Sequence, residues 1–290
     1  AGGMAGGGLR VVVIVSPDIS DIYFANQLMK ELNVVGVFVE RQDSYPTDTL
    51  SRLARGLRYL ASPSAMAARV MEEVYGKGLR KRAEAVNIEG FGNEGLGLET
   101  TSFEGEVVYT EGCNDINDEV YVERLRSLAP DVVAVCGASI LRKPILDVPS
   151  KGTLNLHGGL SQWYRGVWTT LWAVYNEEPQ YVGATVHYVS SGIDDGGIIH
   201  QGRPVIEAGD DHESLYVKVV KMGTGLMIRS IREMEAGTIE AHPLEKKGRL
   251  YLKKDLTPRV IREVWRKVDS GLIRRYVDNG GLDLKVDIYD

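Results

Sequence analysis

The sequence predicts an α/β protein built on a doubly wound, mostly parallel sheet, with a short helical extension at its C-terminus. Three observations lead there. Several short runs are apolar throughout, as strands buried on both faces must be. Helix-patterned stretches separate those runs, the alternation that builds a parallel sheet. The chain has 290 residues, 43% hydrophobic and 26% charged, which suits a soluble protein of one large α/β domain with an appendage, or of two small domains.

The elements follow in order. Arg10 to Val15 is a continuous apolar run and a first buried strand. Ser20 or Asp21 is expected to cap a helix carrying Phe24, Leu28 and Leu32 on one side. Val34 to Glu40 reads as a second strand. Thr47 to Val86 reads as mostly helical, since Leu50, Leu53, Leu57 and Leu60 recur every three or four residues. Gly90 to Gly105 is a glycine-rich, weakly patterned insertion. Val107 to Tyr109 is a short strand, Asp118 to Leu128 a helix, and Asp131 to Cys136 another buried strand that turns at Gly137. Thr153 to Leu156 and Gly183 to Val189 supply two more strands. Residues 208–236 form a long helix starting near Asp210 or Asp211. Thr257 caps a further helix with Pro258 in its first position, and Val260, Ile261, Val264, Trp265 and Val268 form a stripe assigned to core packing. The expected division is a flexible arm or tag remnant at 1–8, the domain carrying the chemistry at 9–207, and a helical extension at 208–290.

Composition excludes several classes. No stretch approaches the roughly 20 apolar residues of a membrane span, and the N-terminus lacks a signal-peptide layout, so the cytoplasm is the expected location. Cys113 and Cys136 are too few for a disulfide framework, and the histidines are too scattered for a zinc site, so no metal is expected. The net charge of −6 argues against a nucleic-acid partner. The basic stretch from Lys246 to Arg275 is the local exception and reads as a solvated helix face. Gly90-Phe91-Gly92-Asn93-Glu94-Gly95 matches the G-x-G-x-x-G pattern, but no apolar strand precedes it and no helix is expected to open after it, so a dinucleotide site is not expected.

The chemistry concentrates between Thr153 and His200. Asn155 and His157 alternate around Leu156, so on a strand ending at Gly158-Gly159 both side chains share a face. Asp194 leaves a second apolar strand on a glycine-rich loop, Gly192-Ile193-Asp194-Asp195-Gly196-Gly197. A carboxamide donor, an imidazole and a carboxylate are the set required for acyl transfer through a tetrahedral intermediate. His187 and His200 are the alternative imidazoles, and His187, in mid-strand, reads as a packing residue.

These residues resemble the folate-dependent N-formyltransferases, the family of glycinamide ribonucleotide formyltransferase and the catalytic domain of methionyl-tRNA formyltransferase. The family's Asn-x-His signature is Asn155-Leu156-His157, and its Asp-x-Gly loop is Asp194-Asp195-Gly196. Ser139-Ile140-Leu141 looks like the folate-binding loop, and Tyr164-Arg165-Gly166 like the segment that follows the catalytic histidine. The similarity covers roughly residues 9–207. Gly159-Leu160-Ser161-Gln162 departs from the family's usual Ser-Leu-Leu-Pro, and the ribonucleotide enzyme's phosphate loop after the first strand is absent. Tyr23 to Asn26, Val37 to Glu40 and Asn114 to Asn117 look more like members acting on sugars.

The resemblance implies formyl transfer from N10-formyltetrahydrofolate to a primary amine, catalysed by Asn155, His157 and Asp194. It implies folate contacts at Ser139, Ile140, Leu141, Gly192, Ile193 and Asp194, and substrate contacts at Tyr164 and Arg165. The acceptor expected is a small amine, an amino sugar nucleotide rather than tRNA, with no membrane partner; a homodimer is compatible with the sequence. The alternatives are a formyltetrahydrofolate hydrolase using the same residues with water, a methionyl-tRNA or ribonucleotide formyltransferase, and a non-catalytic folate- or nucleotide-binding module.

Overall fold

The computed structural model describes residues 8–42, 63–190, 193–194 and 196–290. The leucine-patterned stretch from Leu50 to Leu60 and most of the N-terminal arm lie outside them. The first five elements are β1 (Val11–Val15), α1 (Ile19–Glu31), β2 (Val34–Val39), α2 (Pro63–Phe91) and α3 (Asn93–Leu96). There follow β3 (Glu106–Tyr109), α4 (Glu119–Ser127), β4 (Val132–Cys136), α5 (Lys143–Leu146), β5 (Thr153–His157) and β6 (Tyr164–Gly166). The chain closes with α6 (Thr169–Tyr175), β7 (Ala184–Tyr188), β8 (Ile198–Gly202), α7 (His212–Ala236), β9 (Arg249–Tyr251), α8 (Pro258–Asp269) and α9 (Leu272–Asp278).

Seven strands form one sheet in the order β3-β2-β1-β4-β5-β7-β8. The first five run parallel, whereas β5–β7 and β7–β8 are antiparallel. The strand order reverses between β1 and β4, the switch point beyond whose carboxyl ends open α/β sheets bind ligands. The apolar runs have two cores to fill. Val11, Val13 and Val15 join Phe24, Leu28, Leu215 and Met227 on one face. Val12 and Ile14 join Phe38, Val122, Leu125 and Ile145 on the other. The first of these clusters continues through Val264 and Ile273, so packing runs on past the boundary expected at residue 207.

Local signals mark several element ends. Asp211 caps α7 in a reciprocal capping box with Ser214, and Thr257 caps α8 just ahead of Pro258. Trp265 is buried on α8, with the Arg82 guanidinium 3.9 Å from its ring centre and the His212 ring 4.3 Å away. Three expectations need correction. Helix α1 begins at Ile19 with Asp18 as its N-cap, so Ser20 and Asp21 lie inside the first turn and are buried rather than capping. Gly90 sits within α2, and a short helix does open after Gly92. The Gly90 position is explained by packing, since a Cβ there would meet Val217 at 2.7 Å. Finally, β8 was not expected, because Ile198-Ile199-His200-Gln201-Gly202 shows no clean alternation.

Candidate active site

Strand β5 lies between β4 and β7, and its register sets the site. Val135 pairs with Asn155, and Asn155 stands opposite His187 across the antiparallel ladder. At that separation cross-strand side chains touch, and Asn155 Nδ2 lies 3.2 Å from His187 Nε2. Asp194 joins the group from its loop: its Oδ2 is 3.3 Å from His157 Nδ1 and its Oδ1 is 3.5 Å from His187 Nε2. One carboxylate thus bridges two imidazoles, and the chain of contacts runs Asn155–His187–Asp194–His157.

The ring nitrogens have defined partners. His157 Nε2 faces the Tyr164 carbonyl at 2.9 Å while Nδ1 faces Asp194 at 3.3 Å, so each ring nitrogen has an acceptor before it. His187 Nδ1 donates to the Tyr188 carbonyl at 2.8 Å, and Nε2 faces both the Asn155 amide and the Asp194 carboxylate, accepting from the first when it carries no proton and donating to the second when it does. Burial alone would raise the Asp194 carboxyl. The charge of His157, the His187 contact and the Gly166 N–H outweigh it and hold the group well below the usual carboxylate range. Asp194 also adopts a left-handed backbone (φ 48°), a conformation that non-glycine residues hold only where surroundings enforce it.

The loop after His157 is tightly built. Thr185 Oγ1 donates to the Gly159 carbonyl at 2.7 Å, and Thr169 Oγ1 to the Gly158 carbonyl. A Cβ at Gly159 would lie 2.7 Å from His157 Nε2 and 2.8 Å from Thr169 Cβ, whereas one at Gly158 would meet only Tyr216 at 3.7 Å. Gly159→Ala is therefore expected to slow turnover by at least about tenfold through displacement of the imidazole, while Gly158→Ala stays near wild type. Equal turnover of the two purified variants would show that the imidazole tolerates the shift.

The other expected site residues divide. Ser139 is held by its backbone N–H on Glu40 Oε2 at 2.7 Å. Ile140 follows with its side chain 69% exposed and its carbonyl accepting from Asn117 at 3.1 Å, so an apolar group is presented on a fixed backbone. Leu141 cannot cover a ligand with its side chain, because it is buried in the core with Ile116 and Ile145. Ile193 contributes a carbonyl to Arg165, and Gly192 lies outside the described residues. Tyr164 is not placed for substrate contact. Its ring is fully buried, its hydroxyl donates to Glu178, and only its carbonyl reaches the site. Arg165 spends Nε on the Gly248 carbonyl at 3.2 Å and Nη1 on the Ile193 carbonyl at 3.0 Å. His187, an alternative imidazole that the sequence assigns to packing, instead joins Asn155 and Asp194, a placement set by the β5–β7 register. Among the described residues no cluster of metal-ligating side chains occurs, and no helix is long and apolar enough to cross a membrane.

A doubly wound sheet with an Asn–His–Asp constellation at the carboxyl edge defines a class, and comparison with known proteins agrees. Residues 98–231 match the formyl transferase family model. It is 32% identical over 141 residues to a methionyl-tRNA formyltransferase of Methylacidiphilum infernorum, covering 48% of this chain and 44% of that protein. A second, from Thermodesulfovibrio yellowstonii, is 34% identical over 129 residues, covering 44% and 42%. The chain thus spans less than half the length of these curated relatives. Among solved structures, glycinamide ribonucleotide transformylase 1 from Symbiobacterium toebii shares the fold at TM-score 0.52 and 20% identity, covering 83% of this chain and 96% of that one. A sugar N-formyltransferase from a Shewanella species does so at TM-score 0.51 and 16% identity, covering 85% and 78%. The family match ends at residue 231, inside α7, beyond the limit of 207 expected for the similarity.

Proposed function

We propose that this chain transfers a formyl group from N10-formyltetrahydrofolate to a primary amine of a small acceptor. The observation carrying the reading is the closed set of contacts among Asn155, His187, Asp194 and His157, inside the stretch that matches the family. The folate supplies the formyl carbon and, once it departs, a nitrogen that must regain a proton. Exposed Ile140, on a backbone anchored by Glu40 and Asn117, suits the face of a flat heterocycle, and it follows β4, the strand that pairs with β5.

Each residue then has a role. Asn155 Nδ2 lies against His187 Nε2, and an N–H of that amide can donate to the formyl oxygen as charge develops there, a contact worth roughly 3 kcal/mol in comparable oxyanion sites. His157 places positive charge beside that oxygen, and passing its Nε2 proton to the departing nitrogen requires exchange of the Tyr164 carbonyl for substrate. Asp194, held low, is a weak base. Its part is to keep a negative charge against His157, while the attacking amine gives up its proton through water to the imidazole that has protonated the departing nitrogen.

An amino sugar nucleotide is the preferred acceptor, and methionyl-tRNA is the second reading, favoured by the names of the sequence relatives. The basic C-terminal stretch gives tRNA less support than its charge suggests. Arg249 is paired with Glu178, Lys267 with Glu177 and Arg266 with Glu263. Titration with methionyl-tRNA at two salt concentrations, beside a panel of amino sugar nucleotides, separates the two. Formylation of an amino sugar, with weak tRNA binding, is the expected result. Tight tRNA binding that weakens steeply with salt and is coupled to formylation would reverse the choice.

A further inference from the structure

The two backbone groups that complete the candidate site both come from β6: the Tyr164 carbonyl at His157 and the Gly166 N–H, 2.9 Å from Asp194 Oδ2. Strand β6 is no part of the seven-stranded sheet. It pairs in parallel with β9, Tyr164 opposite Arg249, Arg165 opposite Leu250 and Gly166 opposite Tyr251. The match extends at both ends, with Gly248 N–H on the Ser161 carbonyl at 2.9 Å and Val167 N–H on the Tyr251 carbonyl at 3.0 Å. Gly166 has φ +89°, and a Cβ there would meet the Tyr251 carbonyl at 2.0 Å, so the two strands approach as closely as glycine allows.

Strand β9 is itself anchored. Arg249 Nη2 donates to both carboxylate oxygens of Glu178, at 2.8 and 2.9 Å, and the Tyr251 ring stacks on Trp172 at 4.2 Å with its hydroxyl accepting from Asn176 at 2.9 Å. Arg165 links this C-terminal segment to the Asp194 loop, since one guanidinium binds the carbonyls of both Gly248 and Ile193. A planar fork can hold two carbonyls at once, which an ammonium cannot do with the same rigidity.

We propose that Arg165 and strand β9 are positioning elements of the formyl-transfer site, the Gly248–Tyr251 segment fixing the backbone groups that orient His157 and Asp194. The proposal rests on the functional reading above. Asp194 has a left-handed backbone, and the Gly166 N–H on its Oδ2 and the Arg165 bond to the neighbouring Ile193 carbonyl help to hold its carboxylate against His157. A displacement of about 1 Å at such a group can cost about a hundredfold in rate. The C-terminal extension thereby acts on the chemistry without touching substrate.

Arg165→Lys in the full chain tests this, with Arg249→Met as a second variant acting through β9. The expected result for Arg165→Lys is a kcat about 10- to 100-fold lower, with KM for donor and amine within about threefold of wild type. Arg249→Met should move kcat in the same direction by less. The acid limb of the rate profile should move to higher pH, because Asp194 loses part of what holds its carboxyl low. Hydrogen exchange at the Gly166 amide should speed up in both variants, whatever the activity. A raised KM for the amine with unchanged kcat would make Arg165 a substrate ligand and overturn the proposal. Unchanged Gly166 exchange would overturn it as well. Faster exchange in a protein whose wild type transfers no formyl group would support the positioning role and reject the functional reading instead.

Discussion

His157→Ala should lower formyl transfer by at least about a hundredfold while leaving the fold intact, and Asp194→Ala and Asn155→Ala should do the same. In the proposed reaction each group acts on charge that develops only in the transition state, where a lost contact costs several kcal/mol. The structure strengthens the case, because the three side chains form one connected set through His187. His157 is 5% exposed, so its removal leaves a small void at the sheet's edge rather than in either main core. Residues that act as a unit should also be non-additive, so the His157→Ala/Asp194→Ala double variant should be little slower than either single one. Variants that melt near wild type and turn over near wild type would remove these residues from the mechanism.

A comparable effect on stability is expected at Asp21→Asn, with a defined dependence on pH. Asp21 is 4% exposed at the carboxyl ends of β1 and β4. Burial pushes its carboxyl from 3.8 up to about 7, with Asp18 adding to the shift and donors on Ser16, Cys136 and Ser20 opposing it. Ser16 Oγ donates at 2.5 Å and Ser20 Oγ at 3.2 Å. The folded pKa lies above the unfolded one, so between pH 3.8 and 7 the folded state binds a proton that the unfolded chain has lost. Stability contributed by this group is therefore fully present below pH 3.8, declines as pH rises toward 7 and is flat above. Three pKa units correspond to about 4 kcal/mol. A neutral asparagine carries no such slope and should be the more stable protein at pH 8, by up to about 4 kcal/mol less any hydrogen bond it fails to make. Denaturation curves at pH 4 and pH 8 check it, and parallel stabilities of the two proteins across that range would contradict it. Asp194 works in the opposite sense. Its folded pKa is depressed, so its contribution is present above the ordinary carboxylate range and is lost only in stronger acid.

The sheet was legible because strands such as Val11–Val15 and Val132–Cys136 are apolar on both faces, and the structure shows a core on each side of them. Helix ends were legible where a side chain makes the cap, as at Asp211 and Thr257, and not at α1, whose Asp18 makes no side-chain cap. Asn155 and His157 declared themselves by alternation on one strand. His187 did not, since its place depends on an antiparallel register that no local pattern encodes. Tyr164 and Arg165 are substrate contacts by the family resemblance of the segment that follows His157. The fold instead turns the tyrosine ring inward and spends the guanidinium on two carbonyls. Strand β9 is three residues of mixed polarity, a length at which pattern says nothing and pairing decides everything.

The central claim is that the Asn155–His187–Asp194–His157 set moves a formyl group to an amine. It is tested most directly by incubating the protein with formyltetrahydrofolate labelled in its formyl carbon, with and without candidate amines. Tetrahydrofolate release and the label are followed together. The predicted result is release that depends on an amine, with the label recovered as an N-formyl product and both signals lost in His157→Ala. Release at the same rate without any amine, with the label recovered as free formate, would contradict it and make the protein a hydrolase.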